Sequence, residues 1–336
     1  MVIVDGHSDY ALQIYREHLK GNKNVIKEQH LPLLQRGGIN VEVLTVGGDF
    51  ELFPEFDARG YNTTLKVIKT IQDEISKSPD LFLLIKKAQD FNKIENHRVS
   101  FLFALEGSGS IGDEFSRFHN YYELGVRSIA LTHNKKNLFA DGCAVKEAKG
   151  LSETGKDFVR DLNKYGVLID LSHISEASFW DTIDIMMKPP IATHSNAKHL
   201  CDHARNLTDD QINAIGEREG VIGINFFSTF VDKKGKNATV DRLIDHVDHI
   251  VELVGINHIG LGPDFLNYYI EDLKQLSDNV PKDFPTDETQ PSFEVVKDVT
   301  EIPMLLELLR KRGYSDKEVR KIQGENFIRV FKEVLK

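Results

Sequence analysis

Eight short apolar runs alternate along the chain with longer stretches of mixed apolar and polar residues. The runs are rich in Val and Ile and are apolar on both faces, as expected of buried parallel strands. They comprise Val2–Val4, Ile39–Val46, Val99–Leu105, Val126–Leu131, Val167–Leu171, Pro190–Ala192, Val221–Phe226 and His258–Leu261. The pattern therefore predicts eight strands of one parallel sheet.

Apolar residues at three- and four-residue spacing predict helices between these strands. Thr208, followed by two Asp residues, is typical of a helix start, whereas Gly166 and Gly255 directly follow predicted helix ends. The predicted helices cover Thr64–Ser78, Gly155–Tyr165, Thr208–Arg218 and Val240–Val254, and two more near Thr300–Arg312 and Ser315–Leu335 close the chain.

Strand–helix alternation of this kind predicts an α/β fold, a (β/α)8 TIM-type barrel with two closing C-terminal helices. A doubly wound open sheet is the alternative on pattern alone. No Pro-, Gly- or Ser-rich linker interrupts the sequence. We therefore expect residues 1–336 to form a single barrel domain.

The charge and cysteine content narrow the classes of partner and compartment. A formal net charge of -10 makes nucleic acid and anionic membranes poor electrostatic partners. The two cysteines, Cys143 and Cys201, are too few for a disulfide framework and fit a reducing compartment. Because the N-terminus also lacks the basic region of a signal peptide, we expect a cytoplasmic protein.

Polar residues with metal-binding side chains follow six of the eight predicted strands. In a parallel barrel the C-terminal ends of all strands meet at one face, which carries the active site. Four histidines, two aspartates and one glutamate are thus expected to converge there. They are His7, Asp9, Glu106, His133, His173, His194 and Asp264.

Imidazole and carboxylate groups are the ligands that suit zinc and similar divalent ions. His7 and Asp9 lie two residues apart on an extended chain, so both side chains can reach one ion. A glutamate opposite could bridge two ions, and two further histidines could complete the second. A lone histidine at a strand end is more often structural, but histidines at four strand ends favour a metal site. The remaining histidines are interpreted as structural or surface residues, among them His199 and His249.

At these same positions the sequence resembles the membrane (renal-type) dipeptidase family, a metallopeptidase branch of the amidohydrolase superfamily. The resemblance runs nearly end to end, and its most specific elements are LTHN…N…ADG and the H-S…R-N pair. The matching segments include DGHSDY (5–10), ALEG (104–107), LTHNKKNLFADG (131–142), THSNAKHLCDHARN (193–206) and GENFIRVF (324–331).

The resemblance implies two divalent metal ions, expected to be zinc, and a role for each converging residue. The metal ligands it implies are His7, Asp9, Glu106, His173 and His194, with Glu106 bridging the ions and counted among the catalytic residues. It further implies that His133 contacts the substrate and stabilises the oxyanion, that Arg205 binds the substrate carboxylate, and that Asp264 moves a proton.

The expected function is therefore a zinc-dependent dipeptidase, which hydrolyses the peptide bond of dipeptides with a metal-bound hydroxide. The substrate would be a small dipeptide, and the resemblance suggests a homodimer. One alternative is a related amidohydrolase that acts on another small amide or on a modified peptide. A phosphoesterase on the same barrel and a metal-binding barrel without catalysis are further alternatives.

Three departures from the family pattern leave substrate preference more open than reaction type. They are Ser8 between the first two ligands, Ala204 before the Arg-Asn pair, and Leu266-Asn267 after Asp264. Individual roles also have alternatives, since Arg205 could pair with Asp202 or Asp209, Asp264 could bind metal, and His133 could be structural. The long segment Asn267–Gln290 is a lid, an oligomer contact or a plain loop.

Overall fold

The computed structural model describes residues 2–49, 57, 60–233, 237–269 and 295–336. Each of the eight predicted apolar runs contains a strand, with ends shifted by a few residues. A ninth strand of three residues lies between the second and third runs. The strands are β1 (Ile3–Ser8), β2 (Ile39–Gly48), β3 (Phe82–Leu84), β4 (Val99–Glu106), β5 (Val126–Ala130), β6 (Leu168–Asp170), β7 (Ile191–Ala192), β8 (Val221–Ile224) and β9 (Ile259–Leu261).

All strand pairs in the main sheet are parallel, in the order β1-β2-β4-β5-β6-β7-β8-β9. The two ends of this order, β1 and β9, contact each other, so the sheet is a nearly closed eight-stranded barrel. This confirms the predicted TIM-type architecture over the open-sheet alternative. The extra strand β3 pairs with the first three residues of β4, Val99 to Phe101. From Phe103 onward, β4 pairs with β5 instead.

Helices connect the strands and close the chain. Thr208 caps α7 by accepting a hydrogen bond from the backbone of Gln211, and Gly166 ends α5 in the left-handed conformation, both as predicted. The helices are α1 (Ala11–Leu19), α2 (Leu31–Gly37), α3 (Tyr61–Lys77), α4 (Ser116–Glu123), α5 (Glu153–Tyr165), α6 (Glu176–Ile185), α7 (Asp209–Glu217), α8 (Ser228–Val231), α9 (Val240–Val254), α10 (Ile302–Arg312), α11 (Asp316–Arg320) and α12 (Asn326–Val334).

The C-terminal part of the chain differs from the sequence expectation in one helix, and another expected feature is mostly outside the described residues. The single helix expected over Ser315–Leu335 is instead α11 and α12, joined by one π-helical turn at Lys321–Glu325. Most of the Asn267–Gln290 segment lies outside the described residues. Its first three residues, Asn267–Tyr269, are described and form one 3-10 turn. Among the described helices, none is both long and apolar enough to cross a bilayer.

The buried apolar side chains form an outer and an inner cluster. The outer cluster extends from Tyr10 to Ile322 and fills the layer between strands and helices. The inner cluster combines residues of the barrel strands with one face of α12, whose buried residues recur at three- and four-residue spacing. The members contributed by α12 are Phe327, Val330, Phe331 and Val334.

Phe327 is fully buried against three glycines of adjacent strands. A Cβ at Gly260 would lie 2.5 Å from the Phe327 ring, and one at Gly6 2.8 Å from it. Gly324, two residues before α12, lies against the Val2 carbonyl at the start of β1. The last helix therefore packs at the amino-terminal end of the strands and leaves the carboxyl-terminal end for other residues.

We expect Phe327→Ala to lower the free energy of unfolding by about 3–5 kcal/mol, because it leaves a cavity in the inner cluster. Gly260→Ala should cost about 1–3 kcal/mol by overpacking the same ring. In the Phe327→Ala background this second cost should largely vanish, since all three atoms nearest to a Cβ at Gly260 belong to Phe327. Chemical denaturation of the single and double variants measures the coupling.

Gly223→Ala is the matched control for this experiment. A Cβ there would lie 1.9 Å from the Thr193 carbonyl oxygen, so removing the Phe327 ring cannot relieve the clash. Equal costs of Gly260→Ala in both backgrounds would contradict the assigned packing.

Candidate metal centre at the carboxyl ends of the strands

The structure brings together all seven polar residues that were expected to converge. His7 lies in β1 and Asp9 directly follows it, while Glu106 is the last residue of β4. The others follow their strands within three residues, so the parallel barrel delivers every side chain to the same end. These residues are His133 after β5, His173 after β6, His194 after β7 and Asp264 after β9.

Glu106 lies at the centre of this cluster and is buried. Its Oε1 atom is 3.3 Å from the Nε2 atom of His7, 2.8 Å from that of His173 and 3.4 Å from that of His194. One carboxylate oxygen is thus shared by three imidazoles that come from three different strands. A carboxylate in this position can contact two cations at once.

The orientation of two of the histidine rings is fixed by hydrogen bonds on their outer side. His173 Nδ1 donates to Asn134 Oδ1 over 2.8 Å. His194 Nδ1 donates to Thr193 Oγ1 over 2.8 Å, because that hydroxyl gives its own proton to Asp170. Both rings therefore carry their proton on Nδ1 and point an Nε2 lone pair inward.

The inward Nε2 atoms of His173 and His194 are only 2.8 Å apart. With both lone pairs facing each other, no hydrogen bond can join them, and the contact is repulsive unless a cation binds both. Metal-binding histidines characteristically donate their second ring N–H to a protein acceptor, as both of these do. The residues present therefore fit a metal ion on chemical grounds.

His7 and Asp9, on the other side of Glu106, also have buried donor atoms that lack a hydrogen-bond partner among the described residues. His7 Nε2 and Asp9 Oδ1 lie 3.3 Å apart, and within the described chain neither buried atom has a hydrogen-bond partner. Buried polar atoms are nearly always satisfied, so the chemistry of this pair fits binding of a metal ion. Asp264 Oδ1 approaches the same His7 nitrogen to 3.9 Å.

Burial perturbs the ionisation of the whole cluster. Burial raises the pKa of Glu106 to about 8, and the charge of Asp9 adds to this effect. Burial also holds the pKa values of His173 and His194 well below their usual range. At His7 burial acts against the charged form, yet the carboxylates of Asp9 and Glu106 raise its pKa well above normal. Metal cations would stabilise the ionised carboxylate of Glu106, which burial otherwise disfavours, whereas the neutral form of His173 and His194 that burial favours is already the form that binds metal.

Asp264 is held by an asparagine that was not anticipated from the sequence. Asn225 Nδ2 donates to Asp264 Oδ2 over 2.9 Å and so turns the other oxygen towards the cluster. Burial raises the pKa of Asp264 to about 6. Asp264 and His173 both have positive φ angles, of 62° and 65°, a left-handed conformation that costs non-glycine residues about 1–3 kcal/mol. Strain of this kind is typical of functional sites.

His133 and Arg205, the expected substrate-binding residues, border the cluster. The His133 ring lies 4.2 Å from that of His173 by centroids, and a His133 nitrogen is near enough to Glu106 and His173 to share an ion. The Arg205 Nη2 atom donates to the His194 carbonyl over 3.0 Å, while its Nε is buried without a hydrogen-bond partner among the described residues. The guanidinium also lies 5.5 Å above the Phe230 ring.

The surface pairing considered for Arg205 is not favoured by its surroundings. Asp202 pairs with Lys198 and Lys233, and Asp209 lies beside two histidines. Arg205 is instead 5% exposed and contacts the backbone of a cluster residue.

Two buried acids beneath the cluster were missed by sequence reasoning. Asp5 accepts a hydrogen bond from the backbone of His7, and Glu42 accepts one from the Ser8 hydroxyl over 2.8 Å. Burial raises the pKa of Asp5 to about 7 and that of Glu42 well above its usual range. The available signal was Glu42 itself, the one charged residue in a strand that is mostly apolar. The two residues meet because Asp5 pairs with Glu42 in the β1–β2 register.

The fold and this site together define a (β/α)8 barrel with a candidate two-cation centre at its catalytic face. The chain belongs to the membrane dipeptidase family, Peptidase family M19, whose model matches residues 1–281 and 282–336. The resemblance seen in the sequence and the expectation of a hydrolase of the metallodipeptidase type are thereby confirmed.

Individual relatives agree with this assignment. An uncharacterized dipeptidase from Schizosaccharomyces pombe is 32% identical over 98% of this chain and 80% of its own length. The dipeptidase tcpJ from Claviceps purpurea is 33% identical over 81% of this chain and 60% of its own length.

Solved structures share the fold at lower identity. A metallopeptidase from Rhodobacter sphaeroides, bound to a phosphinate mimic of L-Ala-D-Ala, has a TM-score of 0.82 at 22% identity and covers 99% of both chains. The probable dipeptidase PvdM from Pseudomonas aeruginosa has a TM-score of 0.80 at 20% identity, over 99% of this chain and 95% of its own.

We expect Asn134→Ala to weaken metal binding by about 10- to 100-fold, because it removes the acceptor that orients His173. Competition with a metal-binding dye measures the loss. Cys143→Ala is the matched control: its thiol donates to the same Asn134 oxygen, but the Asn134–His173 bond remains in the variant. Equal metal affinity of Asn134→Ala and Cys143→Ala would exclude the orienting role.

Proposed function

We propose that this protein is a dipeptidase that uses two zinc ions bound at the carboxyl ends of the barrel strands. The carrying observation is the shared Glu106 oxygen, surrounded by three imidazole nitrogens of which two face each other at 2.8 Å. The first ion would bind to His7 and Asp9, the second to His173 and His194, with Glu106 between them. The orphaned His7 and Asp9 atoms support this division.

Bound zinc ions would supply a water of lowered pKa and polarise the scissile carbonyl group. The chain's own residues prepare the remaining steps. Glu106 and the two outward-bonded histidines keep their donor atoms in place without further rearrangement. Preorganisation of this kind removes the cost of orienting ligands during the reaction.

Asp264 is the proposed proton carrier. Its Oδ2 atom is fixed by Asn225, and its Oδ1 atom faces the cluster 3.9 Å from His7 Nε2. From there the carboxylate would accept a proton from the attacking water and deliver it to the leaving amine. His133, beside His173, would donate a hydrogen bond to the carbonyl oxygen as negative charge develops there.

Arg205 is the proposed binding group for the C-terminal carboxylate of the dipeptide. One bond to the His194 carbonyl holds its guanidinium at the edge of the cluster, and the partnerless Nε supports a further acceptor. A planar guanidinium suits bidentate binding of a carboxylate. Requiring that carboxylate one residue beyond the scissile bond would limit cleavage to the last peptide bond of a substrate, which in a dipeptide is its only one.

We also propose that the enzyme works in the cytoplasm, which is supported by a sequence with only two cysteines, too few for a disulfide framework. A homodimer and a single domain over residues 1–336 stay predictions.

A panel of L-L and L-D dipeptides tests the proposed activity. The panel includes L-Ala-D-Ala, since a structural neighbour is bound to a mimic of it. We expect amino acid release that EDTA abolishes and zinc restores, because the ligand set depends on the metal. Tight zinc binding without cleavage of any dipeptide would reject the dipeptidase and favour another small amide. A phosphate ester serves as the control substrate.

Variants of Arg205 and Asp264 distinguish a role in substrate binding from a role in proton transfer. Arg205→Met should raise KM about 10- to 150-fold, the equivalent of about 1.5–3 kcal/mol, because it removes a charged hydrogen bond. Asp264→Asn should lower kcat by about 10²–10⁴-fold, because it removes the proton carrier. Steady-state kinetics on the best dipeptide measure both changes.

Arg218→Met is the control for Arg205, because Arg218 also donates to a backbone carbonyl, that of Met186, at the other end of α7. Zinc content is measured for Asp264→Asn, since Asp264 lies near enough to His7 and Asp9 to bind an ion with them. Loss of zinc in this variant would reassign Asp264 as a ligand. The reverse pattern, with kcat lost on replacing Arg205, would reject the assigned roles.

A further inference from the structure

A second group of histidine and carboxylate side chains lies outside the central site. It consists of His199, from the loop after β7, Asp209, the first residue of α7, and His249 of α9, and is called here the outer histidine cluster. His249 Nε2 lies 2.8 Å from Asp209 Oδ1, and His199 Nδ1 lies 3.9 Å from Asp209 Oδ2. The two imidazole rings stack at 4.8 Å with an interplanar angle of 10°.

The backbone on both sides of His199 is fixed to the helix that carries His249. Arg242 donates from α9 to the Leu200 carbonyl over 2.9 Å, and His246 Nδ1 accepts a bond from the Ala197 amide over 3.1 Å. Residues 242, 246 and 249 are spaced along one face of α9. The positions of the loop and the helix are thus set by contacts that do not involve the outer histidine cluster.

The carboxylate of the cluster is also fixed in place. Thr208 caps α7 and so determines where the first turn of the helix, with Asp209, begins. The three donors therefore come from three anchored backbone segments, and it is mainly the exposed His199 side chain that would lose conformational freedom when a ligand binds.

The separations match the size of a divalent transition metal. Bonds from such an ion to histidine nitrogen or carboxylate oxygen are about 2.0–2.2 Å long, so two donors of one ion lie at most about 4.4 Å apart. His249 approaches one Asp209 oxygen to 2.8 Å, a hydrogen bond that an ion would replace, and His199 approaches the other oxygen to 3.9 Å, so both distances fall within this limit. One donor atom of each residue lies within 4.8 Å of the others, so an ion would require the His199 side chain, which is 63% exposed, to turn towards the other two ligands.

We propose that the outer histidine cluster is an additional binding site for a divalent transition metal, with zinc as the best match. Two imidazoles and one carboxylate form a donor set that suits zinc, nickel and copper rather than calcium or magnesium, which prefer oxygen ligands. His199 Nδ1 lies 3.9 Å from the Asp209 carboxylate, which is too far for a hydrogen bond. The fold of the loop, and not a hydrogen bond to Asp209, therefore places this nitrogen near the other two ligands. The ion would take a water as its fourth ligand.

The outer site is separate from the central one in its ligands and its access. None of its three residues belongs to the central cluster, and His199 is exposed whereas the central ligands are buried. An ion here would join the loop after β7 to α7 and α9, and that loop also carries Arg205. The inference does not depend on the dipeptidase proposal, because it concerns zinc binding alone.

The test counts zinc ions on the holoenzyme by equilibrium dialysis against excess free zinc, followed by elemental mass spectrometry. His199→Ala should bind about one ion per chain fewer than the wild type, the loss expected for a site with three protein ligands. His249→Gln should show the same loss by removing a different ligand. His97→Ala is the matched control, because His97 is exposed, lies 3.6 Å from Glu95 and belongs to no group of three possible ligands within the described part of the chain.

Histidine carbethoxylation, followed residue by residue by mass spectrometry, gives a second readout on the wild type. Zinc should slow the modification of His199 and leave that of His97 unchanged, because only the first would lose its free nitrogen. Dipeptide hydrolysis by His199→Ala should match the wild type. Equal zinc content of wild type and His199→Ala, or equal labelling of His199 with and without zinc, would overturn the proposal.

Discussion

The meeting of three imidazole nitrogens on one oxygen of Glu106 is the constraint that organises the rest of this molecule. Such an arrangement is unfavourable by itself, because two of the nitrogens face each other with lone pairs and every group is buried. It persists because each member is attached to a different strand end, and because Asn134 and Thr193 fix ring orientations from outside. The surrounding structure thus holds the donor atoms in an arrangement that bound cations would stabilise, and little motion of these side chains would be needed to bind them.

One end of the barrel contributes mainly to stability, and the other end carries the residues of the candidate site. At the amino end, α12 inserts Phe327 against three glycines and completes an apolar interior. At the carboxyl end the same strands finish in polar residues, two of them with left-handed backbone at His173 and Asp264. Strain at one end is tolerable because dense packing at the other contributes many times its cost. Parallel strands make the separation possible, since each strand presents one terminus to each face.

Sequence patterns predicted the barrel and the convergence of its polar strand ends because both follow from local periodicity and from one topological rule. The three-residue strand Phe82–Leu84 escaped notice, since so short a run has no period of its own and is defined only by pairing with β4. The division of Ser315–Leu335 was missed for a similar reason: Gly324 meets the Val2 carbonyl, a contact between opposite ends of the chain. Asn134 and Asn225 were missed as supports because their partners, His173 and Asp264, lie 39 residues further along the sequence.

The departure from the family pattern at Ser8 has a physical explanation in the buried acids below it. Its short hydroxyl reaches Glu42 over 2.8 Å and Asp5 over 3.2 Å, so one donor lies between two carboxyl groups that β1 and β2 set side by side. Two ionised acids at this depth would repel each other, and burial accordingly raises both pKa values. The pair can therefore retain protons and adds less negative charge beneath His7 than two carboxylates would. A serine here thus places one hydroxyl between the two buried acids that lie beneath the ligand pair His7 and Asp9.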